Sequence, residues 1–136
     1  MQTETAVQQH TRLELARIGA LPMRNNVGAC TDETGRFIRY GLMNESKQQN
    51  ERFKSADIVA PVPIVIQPHH VGRTIAAFGV FETKRAGWHM TPGDKRAQAQ
   101  KRFIDLVLSV GGLGGFVTHP DQVRAYVEAF NLTPGR

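Results

Sequence analysis

Apolar and polar positions follow two different rhythms along this chain. From about Thr3 to Gly19, the residues Val7, Thr11, Leu15 and Ile18 fall on one side at ~100° per residue, which predicts a helix that stops at Gly19. Glu4 and Glu14 project close to that same side, and an acid beside an apolar stripe is unusual. Leu21 to Tyr40 reads as two short strands joined by a hairpin at Asp32-Glu33-Thr34-Gly35. Met43 to Lys54 is polar and rich in Gln and Asn, a loop with room for a helical turn. An apolar run starts abruptly after Asp57 and continues to Ile66, but Pro61 and Pro63 restrict it to an edge or bulged strand. Gln67 to Gly72 reads as a turn, and Arg73 to Lys84 is the clearest strand. Asp94 can cap a helix reaching about Val110, with Phe103, Leu106, Val107 and Val110 as its stripe and Gly111-Gly112 as its end. A short strand, Gly115 to Thr118, and a last helix, Pro120 to Phe130, complete a mixed α/β order.

Composition narrows the picture. With 136 residues, no internal repeat and no long linker, residues 1–136 are expected to form one domain. The single cysteine, Cys30, excludes an internal disulfide framework and a cysteine-rich zinc site, and is expected to be a small buried side chain. No apolar run approaches the ~18 residues of a membrane span, and the first residues lack the basic and apolar regions of a signal peptide. The expected location is therefore cytoplasmic, with no membrane partner. The formal net charge of +5 points toward a polyanionic partner. Its distribution sharpens the point: Arg36 to Lys54 carries a local +3, Lys84 to Arg102 a local +5, and the remainder −3. A solvated face explains such charge as readily as a nucleic-acid surface does.

The chemistry concentrates at Glu82-Thr83-Lys84. In a strand, residues two apart share a face, so Phe78, Val80, Glu82 and Lys84 do so here. An acid and an amine thus meet at the end of an apolar strand, where each needs a partner or a metal if buried. Such a triplet is weak alone, since a strand running into solvent is free to carry charges. Asp57 strengthens it. It opens another apolar run, with 24 residues between it and Glu82, and neighbouring strands would let the two carboxylates converge. Clustered carboxylates repel one another unless a cation lies between them. All-oxygen ligation suits Mg²⁺ or Mn²⁺, and the Thr83 carbonyl is a further possible ligand. Lys84 beside such an ion can hold a water or stabilise a developing phosphorane charge, which are the needs of phosphodiester hydrolysis.

The ordered set of motifs resembles a known family. It comprises Thr3-Glu4 and Gln8, Arg24-Asn25-Asn26-Val27-Gly28, and Arg36-Phe37-Ile38-Arg39-Tyr40-Gly41-Leu42. Lys54-Ser55-Ala56-Asp57-Ile58, Glu82-Thr83-Lys84, Thr91, Gln100 with Phe103, Gly111-Gly112 and His119-Pro120-Asp121 follow. Together they are similar to the virus-type replication-repair nuclease (VRR-NUC) domain of the PD-(D/E)xK nuclease superfamily, over about Thr3 to Val127. The resemblance implies a restriction-endonuclease-like core: a central mixed β-sheet flanked by helices, of α-β-β-β-α-β type. It implies Asp57 and Glu82 as main metal ligands, Lys84 as catalytic lysine, Glu4 as the helix carboxylate with Glu14 as the competing choice, and Gln100 as the glutamine that completes the site. It further implies a Mg²⁺- or Mn²⁺-dependent endonuclease, a homodimer cutting branched DNA such as Holliday junctions, of phage or prophage origin. A monomeric flap or end nuclease and a non-catalytic DNA-binding module are the alternatives. Candidate DNA contacts are Arg36, Arg39, Lys54, Ser55, Arg85 and Lys101. Where many relatives have a glycine shortly before the aspartate, this chain has Lys54-Ser55-Ala56.

Trp88 can stack on a base or cap the core, and His69-His70 reads as a turn. Gly111 to Gly115 lacks the following Lys-Ser or Lys-Thr of a P-loop and reads as a helix-to-strand connection.

Overall fold

The computed structural model describes residues 3–134. The chain is mixed α/β and divides into two compact units between Ala60 and Pro61.

The first unit opens with α1 (Glu4–Arg17), capped by the Thr3 side chain, which accepts from the Ala6 N–H. It ends at Gly19 as its pattern predicts, but buries none of its residues; Val7 and Ile18 of the expected stripe stay exposed. Strand β1 (Met23–Arg24) pairs antiparallel with β4 (Ile58–Val59), and β2 (Gly28–Thr31) with β3 (Phe37–Tyr40). The β2–β3 turn is tied by Asp32. Its Oδ1 accepts from the Thr34 hydroxyl and from the N–H groups of Thr34 and Arg36. The hydroxyl of Thr34 foremost, then the Arg36 N–H, holds the Asp32 carboxyl below its ordinary pKa against a smaller opposing effect of burial. The polar stretch expected as a loop contains a short helix, α2 (Lys47–Arg52), capped by Ser46. Cys30 is exposed, contrary to expectation, because it stands on the thin hairpin with no layer over it.

The second unit begins with a segment in which only the 3₁₀ turn Pro68–His70 is regular. The strand expected from Arg73 to Lys84 shortens to β5 (Gly79–Thr83). Its partner explains the loss: β6 (Leu113–Val117) starts opposite Gly79, and a strand persists only where a neighbour accepts its hydrogen bonds. Likewise the apolar run after Asp57 yields only the two residues of β4, because Pro61 and Pro63 lack amide donors. The strands consequently form three two-stranded pairs among the described residues, not the single central sheet expected from the resemblance.

Between β5 and β6 runs α3 (Lys95–Ser109), a crossover helix that gives the unit its parallel pairing. Asp94 caps it as expected, accepting from the Ala97 N–H at 2.9 Å. Gly111, at φ +98°, ends it: Gly111 N–H bonds to Leu108 and Gly112 N–H to Val107, the 5→2 and 6→1 closure that favours glycine. Strand β6 begins two residues earlier than expected and includes Gly114 and Gly115. At Gly114 a Cβ would run into the Val80 carbonyl, and at Gly115 into the Tyr126 ring. Tyr126 belongs to α4 (Asp121–Leu132), and its hydroxyl donates to the Phe116 carbonyl at 2.8 Å. No helix among the described residues is long and apolar enough to cross a membrane.

Three outcomes follow. Gly114→Ala, strained at φ +130° and clashing with backbone, should destabilise the fold by about 2–4 kcal/mol in urea denaturation. Gly93→Ala, in open space, should change it by less than about 0.5 kcal/mol. Asp32 has a depressed pKa, so its contribution is present above the ordinary carboxylate range and is lost as pH falls through the depressed value. Asp32→Ala should therefore melt at lower temperature than wild type at neutral pH, with the gap closing in strong acid.

Candidate active site

In the second unit, the buried stripe of α3 is Ala97, Ile104 and Val107, and Gln100 lies on the same line at spacings of three and four. That places Gln100 against β5. Glu82 and Gln100 line one pocket of about 490 Å³, together with Val80, Phe81, Phe103 and Ile104. The Gln100 Oε1 is buried and accepts no hydrogen bond among the described residues. A buried acceptor without a partner costs about 1–3 kcal/mol, so its retention calls for a ligand or a water. Half-buried Glu82 lines the same pocket, and a carboxylate is the type of oxygen donor that suits a hard divalent cation.

Lys84 follows β5 and is pinned by its own N–H, which donates to the Val117 carbonyl at 2.9 Å. Its side chain does not line the Glu82 pocket. The ammonium lies 5.3 Å from the Trp88 ring centroid and 5.9 Å from that of Phe116, and the two rings are 4.9 Å apart. Such cation–π contacts hold a lysine without neutralising it. Among the described residues Lys84 forms no ion pair with Glu82 or any other carboxylate. Trp88, left open in the sequence between a base stack and a core cap, is thus a wall for Lys84.

Asp57, exposed, belongs to the first unit. Asn25 holds its backbone: the Asn25 N–H donates to the Asp57 carbonyl at 2.8 Å, and its Nδ2 donates to Ser55 Oγ and the Ala56 carbonyl, each at 2.8 Å. Asn25 Oδ1 in turn accepts from the Leu42 N–H. The sequence marks Asn25 only as part of a motif; its role as the tie of the Asp57 segment emerges from the structure. Ser55, a candidate DNA contact, also donates to the Leu42 carbonyl, so its hydroxyl is engaged inside the unit.

Glu4 and Glu14 separate clearly. Glu14 is exposed and ion-paired with Arg17 at 2.6 Å, whereas Glu4 lines a pocket with Gln8, Arg12 and Arg24. Arg24 is the cross-strand partner of Ile58, which follows Asp57. Neither unit on its own gathers three His, Cys, Asp or Glu side chains into a metal-holding group among the described residues. Of the remaining candidates, Arg36, Lys54 and Arg85 are exposed, and Lys101 pairs with Asp105 at 2.6 Å on the α3 surface.

No family model, curated protein or solved structure matches the chain.

Replacing Gln100 with leucine removes the unpartnered oxygen while keeping the side-chain bulk. Gln100→Leu should leave stability unchanged or raise it by about 1 kcal/mol in urea denaturation.

Proposed function

We propose that the chain is a metal-dependent DNA endonuclease. The observation that carries this reading is that Glu82 and Gln100 line one pocket, while Lys84, two residues beyond Glu82, is paired by no carboxylate among the described residues. The strand–helix–parallel strand arrangement of β5, α3 and β6 supports it by setting the acid and the lysine at the end of one strand.

Glu82 would hold Mg²⁺ or Mn²⁺ with the Thr83 carbonyl as a further donor; the family resemblance implies Asp57 and Glu4 as the other ligands and Gln100 as the residue that completes the site. When bound, the ion supplies Lewis-acid activation of water and of the scissile phosphate. Lys84, held against Trp88 and Phe116, would orient the attacking water or stabilise the extra negative charge of the transition state. Asn25 fixes the backbone that presents Asp57. The basic stretches Arg36 to Lys54 and Lys84 to Arg102 meet the DNA backbone without reading its sequence.

The proposed substrate is branched DNA and the proposed assembly a homodimer, since a four-way junction has two-fold symmetry and each chain carries one site. Exposed apolar residues such as Ile64, Val65 at 78% and Val71 at 85% provide surface that a second copy would cover. A phage or prophage origin and action inside the cell accord with this reading.

The test is cleavage of a four-way junction, a flap and a linear duplex with Mg²⁺ or Mn²⁺. Lys84→Ala should cut at least about 10²-fold more slowly than wild type while binding DNA as well. Paired symmetric nicks confined to the junction would support the dimeric resolvase; cutting of flaps or ends would move the activity to end processing. Salt-sensitive binding without cleavage would make the chain a DNA-binding module.

A further inference from the structure

The open face of the β2–β3 hairpin carries chemistry that phosphodiester hydrolysis does not use. Phe37 and Arg39 are two apart on β3 and share a face; their cross-strand partners are Thr31 and Ala29, both small. Small neighbours leave the Phe37 ring 60% exposed, a large aromatic standing on an uncovered sheet face. The Arg39 guanidinium lies 5.3 Å from that ring centroid. Its Nη1 donates to Asn44 Oδ1 at 3.2 Å. Asn44 is itself 3% exposed and locked, its Nδ2 donating to the carbonyls of Gly28 at 2.7 Å and Tyr40 at 2.9 Å. A buried amide with both N–H donors and its oxygen engaged therefore aims an arginine that no carboxylate pairs among the described residues.

Phe37, Arg39 and Asn44 line an open pocket of about 690 Å³ that also includes Arg36 and Tyr40. Arg36 is held only loosely, at 3.9 Å from Asp32. Glu45 is on the lining too, and repels a phosphate placed beside it, which directs an anionic backbone toward the two arginines. An exposed ring with one fixed guanidinium, that of Arg39, and a freer one, that of Arg36, matches an unpaired nucleotide: the base offers a π-face to the ring, and its phosphate meets the cations. A duplex hides its base faces in the stack and can use only the arginines.

We propose that this hairpin face binds single-stranded DNA, with Phe37 stacking on a base and Arg39 and Arg36 holding the adjacent phosphates. The surface extends the nuclease reading by naming an unpaired segment as part of the substrate. Its test is independent of cleavage, because binding is measured with the divalent metal chelated.

The experiment is fluorescence anisotropy of the full chain with a short labelled oligothymidylate and with a duplex of equal length. Phe37→Ala should weaken oligothymidylate binding roughly 5- to 100-fold and leave duplex binding within about two-fold. Phe37→Trp should retain the single-strand affinity, which excludes a folding defect as the cause. Arg39→Gln should weaken binding to both and reduce the salt slope by about one. Unchanged oligothymidylate binding by Phe37→Ala, or an equal loss on both probes, would overturn the proposal. So would a wild-type chain that ignores the oligothymidylate. Each of these results leaves the nuclease reading to its own cleavage assay.

Discussion

The parallel contact between β5 and β6 governs everything chemical in the second unit. Gly114 lets the two backbones approach where the Val80 carbonyl would collide with any side chain. From that approach follow the register of Glu82 opposite Phe116 and the bond that pins Lys84 to Val117. The same contact creates the floor on which α3 lays Ala97, Gln100, Ile104 and Val107. The glycines after α3 are therefore spacing elements, and the acid, the amide and the lysine take their positions from them.

The first unit relies on a different device. Its strands are short and its helices bury nothing, so apolar packing contributes little there. Two asparagine side chains do the joining. Asn25 ties the segment before Asp57 to Leu42, and Asn44 ties β2, β3 and Arg39 at one point. Amide groups that both donate and accept can join several strands of chain at once, and the three Asn44 bonds, all part-buried, gain from partial exclusion of water.

Local signals were the legible part of the sequence. Asp94 and Gly111 bound α3 because capping chemistry acts over four residues, and the Asp32 to Gly35 turn is readable for the same reason. The alignment of Gln100 with the core stripe is a matter of helical period and was equally visible. Where a residue's state depends on a distant partner, the reading fell short. Arg73 to Phe78 has strand-like composition but no neighbour to pair with, and Cys30 has the character of a core residue but no layer above it. The wall formed by Trp88 and Phe116 needed residues 28 apart in sequence to meet, which no local pattern announces.

That wall has a practical consequence. Trp88 is the chain's single tryptophan, and it stands against the ammonium of Lys84. Indole emission is sensitive to a nearby charge, so the protein carries its own optical reporter at the residue on which catalysis would turn. Displacement of the ammonium toward an arriving phosphate would register as a change in colour or brightness, in real time, with no dye attached.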